Sequence, residues 1–211
     1  TWGGVTVKLG KPEKSDDHLS SQLTIGTETV LLQLKDEIRP DAVAAIARLQ
    51  ALGLSASIIS GDNIRSVSAV SRALGLTAQA GASPQDKLEA IARLTASGRK
   101  VLMVGDGLND GPALAAAHVS IAPGTASDVG QQAADAVFTS ASLMPVALSI
   151  RVARRTMQIV HQNFALAIGY NICAVPLALT GMVTPLIAAI AMSLSSLIVV
   201  GNALRLNGSA R

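Results

Sequence analysis

Two stretches near the end of the chain carry no charge at all: Phe164–Val183 and Pro185–Leu204, twenty residues each. A helix of that length rises about 30 Å, the thickness of a bilayer's hydrocarbon core. Inside lipid such a stretch must satisfy its own backbone hydrogen bonds, so both read as transmembrane helices. Gly181 to Pro185 leaves room only for a short turn, which makes them an antiparallel hairpin. Arg151, Arg154 and Arg155 precede the first span, and Arg205 and Arg211 follow the second. The positive-inside rule then puts both ends, and everything before the hairpin, on the cytoplasmic side of a cell membrane crossed more than once. The alternative is a pair of core helices in a soluble protein. Mean hydropathy is +0.44 with only 2% aromatic residues, so the apolar character comes from these spans and not from an aromatic core.

The remainder has another pattern. Val5–Leu9, Gln22–Ile25 and Thr29–Leu34 alternate apolar and polar residues as half-buried strands do, with Gly10–Ser21 as a loop. From Pro40 the pattern becomes helix, strand (Leu54–Ile59), helix (Asn63–Leu74), short strand (Ala78–Gly81), helix from Pro84, and strand (Lys100–Val104). Short helices and strands Val119–Ile121 and Ala136–Phe138 follow, then a long helix from Leu143. Pro40 suits the first position of its helix, and Ser83-Pro-Gln-Asp86 has capping-box spacing. Such alternation is most simply one parallel sheet with right-handed crossovers. The net charge is +3 with scattered basic residues, so no nucleic-acid-binding stripe is present. The single cysteine, Cys173, excludes an internal disulfide and a four-cysteine zinc site.

The chemistry concentrates in Val101–Leu114. Four apolar residues lead into Gly105-Asp-Gly-Leu-Asn-Asp110, a glycine-punctuated acidic loop at the C-terminal end of a strand, where open α/β sheets bind ligands. Asp106 and Asp110 are hard oxygen ligands suited to Mg²⁺, and Asn109 can donate to a phosphate oxygen. Ser60-Gly61-Asp62 follows another strand at the same sheet edge and could hold phosphate oxygens. Lys87, in the first turn of its helix, could reach over that edge as a positive charge. Taken separately, these are a helix-capping turn and a solvated lysine. Together they suit phosphoryl transfer, which depends on positioning and charge neutralisation. A strand-end aspartate able to form an acyl-phosphate is missing.

These motifs resemble those of P-type ATPases, members of the haloacid-dehalogenase-like (Rossmann-like) α/β fold. Gly105–Pro112 is similar to the family's hinge motif, Ser60-Gly-Asp62 to its Thr-Gly-Asp element and Ser83–Lys87 to its Pro-x-x-Lys element. Asp36 with Arg39-Pro40 resembles the junction leading back into the phosphorylation domain. The resemblance implies ATP and Mg²⁺ as cofactors, catalytic roles for Ser60, Gly61, Asp62, Lys87, Asp106, Asn109 and Asp110, and contact with the nucleotide for Asp36 and Arg39. The family's phosphorylated Asp-Lys-Thr-Gly-Thr occurs nowhere here. The chain is therefore expected to be a C-terminal part of a longer pump, inactive alone. Its expected divisions are residues 1–34 as the tail of a nucleotide-binding domain, 35–157 as part of the phosphorylation domain, 158–206 as the two spans and 207–211 as a cytoplasmic tail.

Within that family the hairpin resembles the last two spans of heavy-metal pumps of the copper group. The run Ala117–Phe138 is most similar to nitrogen-fixation cation pumps that supply copper to a haem–copper oxidase. Tyr170 and Asn171 in the first span, with Met192 and Ser196 spaced i, i+4 in the second, are the candidate ligands for the transported ion. The thioether favours Cu⁺. Expected partners are membrane lipid, the metal ion, and a metal chaperone or oxidase assembly factor. Two other readings stay open: a membrane-anchored phosphatase of the same fold, and an inactive regulatory fragment.

Overall fold

The computed structural model describes residues 4–10, 20–33, 37–106 and 108–210. Residues 11–19 of the expected Gly10–Ser21 loop, together with Asp36, Gly107 and Arg211, fall outside them, while Gly10, Ser20 and Ser21 belong to strands. The chain divides into two compact units, Thr1–Arg39 and Pro40–Arg211.

The N-terminal unit is an antiparallel meander of β1 (Val7–Gly10), β2 (Ser20–Ile25) and β3 (Glu28–Gln33). Leu9 pairs with Leu23, and Leu23 with Val30. Three strands alone cannot bury a core. Leu9, Val30, Leu31 and Leu32 accordingly remain exposed.

The second unit runs α1 (Ala42–Ala51), β4 (Ser57–Ile59), α2 (Ile64–Leu74), β5 (Thr77–Gln79), α3 (Pro84–Ala96) and β6 (Leu102–Val104). A short 3-10 turn at Leu108–Asp110 leads to α4 (Gly111–Ala116), β7 (Val119–Pro123), α5 (Asp128–Ala133) and β8 (Ala136–Phe138). Two long helices follow, α6 (Met144–Leu179) and α7 (Pro185–Leu204), with a 3-10 segment, Arg205–Ala210, after them. All strand pairs in this unit are parallel, as the alternation predicts, but they form two ladders instead of one sheet: β4–β5 and β6–β7–β8. Among the described residues β4 and β6 exchange no ladder bonds, so each keeps an open edge. The alternation of elements is silent on this point, because a crossover through α3 can return the chain one strand position away as readily as beside its predecessor.

Local chemistry sets the boundaries. Asn63 caps α2, its Oδ1 accepting from the amides of Arg65 and Ser66, and Gly75 closes that helix at φ 65°, a left-handed conformation that favours glycine. Pro40 does not open α1 as expected. It stands one residue before the cap position, Asp41, whose side chain is engaged elsewhere. The core joins Ile121, Phe138 and Val146 to the half-buried Leu49, Leu102 and Leu143, tying α1, β6, β7 and β8 to the start of α6. Burying a side chain such as Phe138 contributes about 2 kcal/mol.

α6 spans 36 residues, about 54 Å at the helical rise. It stops at Leu179, four residues before the expected end of the span. Gly181 (φ 73°) turns left-handed, the Met182 amide donates to Leu177 O and the Gly181 amide to Ala178 O. The second span coincides with α7, where Thr184 Oγ accepts from the Ile187 amide and Pro185 takes the first helical position. Both helices are long and apolar enough to cross a membrane, and the most apolar stretch of each is left uncovered by the rest of the chain. Leu186, Ile190 and Leu197 are each more than half exposed. A core helix of a soluble protein would be buried, whereas so much open apolar surface fits lipid or further helices. Half-buried Asn163, Tyr170 and Ala174 of α6 and Ala188, Ala191, Ser195, Val199 and Asn202 of α7 mark the seam. The Asn202 amide donates across it to Asn163 Oδ1 at 2.9 Å.

Candidate functional site

The loops after β4 and β6 and the first turn of α3 build the candidate site. The Ser60 amide donates to Gln79 O, the Ala82 amide to Ser60 O, and the Gly81 amide to Asp62 O, each at 2.9 Å. These bonds zip Ser60–Asp62 to the segment that launches α3. Ser60 Oγ accepts from the Asp62 amide at 3.2 Å, so the hydroxyl shapes its own loop. A Cβ on Gly61 would lie 3.2 Å from Ala82 O, close enough to push the two segments apart.

α3 begins with the expected capping box. Ser83 Oγ accepts from the Asp86 amide, and Asp86 Oδ2 accepts from the Ser83 amide at 2.8 Å and its hydroxyl at 2.7 Å. The Ser83 hydroxyl, then the Ser83 amide, with a smaller contribution from Arg93, hold the Asp86 carboxyl below its ordinary value. A depressed carboxylate adds stability that is complete above the unfolded-state value near 4 and disappears as pH falls through the lower folded value. Protection of the amides in the first turn of α3, measured against their intrinsic exchange rates, should therefore stay constant from pH 7 to about 5 and fall below about 4. Asp86→Ala should remove that acid dependence.

The box aims Lys87 at the β6 loop. Lys87 Nζ lies 2.5 Å from Asp110 Oδ1, and both side chains are only 12% exposed. Asp110 is buried at the end of the short 3-10 turn. The other carboxylate oxygen presses on the strand end, because a Cβ on Gly105 would meet Asp110 Oδ2 at 2.9 Å and its Cβ at 3.0 Å. Gly105 is thus required by close approach. Gly105→Ala is expected to push Asp110 off Lys87 and cost about 2 kcal/mol of stability, an overpacking penalty readable from thermal unfolding. Asp106 and Asn109 are exposed at the same loop. The Asp106 carbonyl accepts from the amide of Ser127, whose hydroxyl caps α5 through the Gly130 amide, so the loop is anchored through its backbone and its side chain is left to the site.

Lys87, Asp106, Asn109 and Asp110 are therefore brought to one loop region, with Ser60–Asp62 fastened to the same helix start. Lys87 is paired with Asp110, two groups that the sequence reads separately, Lys87 as a positive charge for the phosphoryl group and Asp110 as a Mg²⁺ ligand. Arg39 is half-buried and ends the N-terminal unit. The four candidate transport ligands do not converge within this hairpin. Tyr170 lies in the α6–α7 seam, whereas Asn171, Met192 and Ser196 are exposed. Asn171 Nδ2 donates to Ala167 O of its own helix at 3.0 Å. Helical phase explains this, since Met192 and Ser196 share a face one residue around from Ala191 and Ser195. The sequence reading missed Asp41, which accepts bonds from residues 142–144. Its only sequence signal was an acidic residue just after Pro40.

A donor set of two neighbouring carboxylates fits Mg²⁺, which commonly takes one or two carboxylates plus phosphate and water. Among the described residues no cluster of three metal-ligating side chains suggests a protein-only metal cage.

The haloacid dehalogenase-like hydrolase model matches residues 7–118. The nitrogen fixation protein FixI of Rhizobium leguminosarum bv. viciae is 55% identical over 184 residues, which cover 87% of this chain and 24% of that protein. A Mycobacterium tuberculosis protein named "Probable copper-exporting P-type ATPase V" is 41% identical over 86% of this chain and 24% of its own length. A crystal structure of a zinc-transporting PIB-type ATPase in the E2.Pi state superimposes with a TM-score of 0.78 at 35% identity, covering 91% of this chain and 31% of that one. The chain thus spans about a quarter to a third of the length of these relatives. The match over residues 7–118, the acidic loop after β6 and the two apolar helices agree: the chain belongs to the haloacid dehalogenase-like hydrolase family and corresponds to a segment of a heavy-metal P-type ATPase.

Proposed function

We propose that this chain is the C-terminal catalytic and membrane part of an ATP-driven heavy-metal pump, moving Cu⁺ across the cell membrane through an aspartyl-phosphate. The observation that carries the reading is the buried Lys87–Asp110 pair set beside exposed Asp106 and Asn109 at the end of β6. Asp106, with Asp110, would hold Mg²⁺, which when bound neutralises charge on the phosphoryl group. Lys87 supplies the fixed positive charge and keeps the Asp110 carboxylate in place. Asn109 donates to a phosphoryl oxygen, and the Ser60 hydroxyl and loop amides grip the remaining oxygens. The phosphorylated aspartate would come from a segment outside these residues. The open edges of β4 and β6, whose C-terminal loops form the site, are suited to receive it. Arg39 and Asp36 would lie on the path to the nucleotide.

Copper is favoured over zinc by the soft thioether of Met192 and by the relative named "Probable copper-exporting P-type ATPase V". Tyr170, Asn171, Met192 and Ser196 would form the transport site together with helices beyond this hairpin, toward which the exposed faces of α6 and α7 are free to pack. A metal chaperone or oxidase assembly factor would be the partner. The basic flanks support a cytoplasmic position for the α/β unit and the end of α7. The test is ATPase activity of the full-length protein with Cu⁺, Zn²⁺ and Co²⁺. Stimulation by Cu⁺ is expected, and stimulation by Zn²⁺ alone would overturn the copper assignment. Met192→Leu and Asn171→Ala should lower the Cu⁺ bound per protein with little change in folding, because Leu keeps the volume. Wild-type stoichiometry in both would make the hairpin purely structural.

A further inference from the structure

The carboxylate of Asp41 performs a task that the site chemistry does not use. Its Oδ2 accepts from the Ser142 hydroxyl and the Leu143 amide, both at 2.6 Å, and from the Met144 amide at 3.3 Å. Leu143 is the cap position of α6 and has no side-chain cap of its own. The first turn of α6 is therefore capped from a residue about a hundred positions earlier in the chain. A negative charge at a helix N-terminus is also favoured by the helix dipole. The Ser142 hydroxyl, supported by the Leu143 and Met144 amides, holds the Asp41 carboxyl below its ordinary range, so it stays ionised at neutral pH.

A second bond closes the other end. Arg154 Nη1 donates to Leu52 O, the C-cap carbonyl of α1. The ten residues of α1 and the ten steps from Met144 to Arg154 each rise about 15 Å. The two helices therefore lie parallel with matched lengths, pinned at both ends, and Leu49 of α1 packs against the core cluster of Ile121, Phe138 and Val146. From this splint α6 continues without a break to Leu179.

We propose that Asp41 and Arg154 are positioning residues that latch α1 to the first three turns of α6, so that movement of the phosphorylated unit is delivered rigidly to the membrane span. This rests on the pump reading above. Asp41 stands at the start of the second unit, directly after Pro40. A shift of α1 and the strands it packs on would thus pull on α6 through its capped first turn, while the Arg154 bond keeps α1 from pivoting.

The test uses the full-length protein in membrane vesicles, reading metal transported per ATP hydrolysed and, separately, phosphoenzyme level. Asp41→Ala and Arg154→Gln should each lower the transport ratio about threefold or more while phosphoenzyme persists. Asp41→Asn should recover most of it, because the carboxamide oxygen accepts the same bonds. A wild-type ratio in both Asp41→Ala and Arg154→Gln overturns the latch. Absence of phosphoenzyme in the wild type would sink the pump reading instead. In that event amide exchange decides the latch: Leu143 and Met144 should exchange about fivefold faster in Asp41→Ala, the usual effect of losing a helix cap, with α3 unchanged. Unchanged exchange there overturns it. If Asp41→Ala fails to fold, Arg154→Gln alone decides: a wild-type transport ratio in that variant overturns the latch.

Discussion

Asp106→Asn in the full-length protein is expected to lower Mg²⁺-dependent phosphoenzyme by about a hundredfold or more, with the fold intact. A carboxylate that neutralises a metal held on a phosphoryl group contributes several kcal/mol to the transition state, and each 1.36 kcal/mol is about tenfold in rate. An amide keeps the shape and loses the charge. The fold should tolerate the change because Asp106 is exposed and the loop is held by its backbone carbonyl, bonded to the Ser127 amide. Acid-quenched phosphorylation from labelled ATP, with circular dichroism as the folding control, measures both parts. Wild-type phosphoenzyme in the variant would remove Asp106 from the metal site.

Lys87→Ala is expected to cost about 3 kcal/mol of stability as well as activity, because it strands the Asp110 carboxylate in a nearly buried position. Replacing both partners, Lys87→Met with Asp110→Leu, should recover much of the stability and none of the activity, since two apolar side chains leave no unpaired charge. Thermal unfolding in detergent compares the three proteins. Equal destabilisation of the single and double variants would mean that the pair is not an energetic unit. The geometry explains why the expected effect is large. Lys87 is aimed by the Ser83–Asp86 capping box, and Asp110 is wedged against Gly105, so neither side chain can swing into water without disturbing a helix start or a strand end.

Much of this was readable from local signals. Asn63, Ser83-Pro84 and Gly75 mark helix ends because capping and left-handed turns involve only neighbouring residues. The spans were readable from the absence of charge over twenty residues, although the end of the first moved to Leu179 once the Gly181 turn set it. The acidic loop was recognisable because carboxylates and glycines at a strand end have few purely structural uses.

Residue order along the chain determined the elements, the loop chemistry and the membrane hairpin, since each depends on side chains within a few positions of one another. Only the tertiary structure decided which groups meet. It turned Lys87 and Asp110, 23 residues apart, into one buried pair. It divided the parallel strands into two ladders with open edges at β4 and β6. It put Met192 and Ser196 outside the α6–α7 seam and made Asp41 the cap of a helix that begins at Met144. The physical reason is common to all four cases. Strand neighbours, helix rotation and long-range hydrogen bonds depend on how finished elements pack against one another, and no local pattern of residues encodes that.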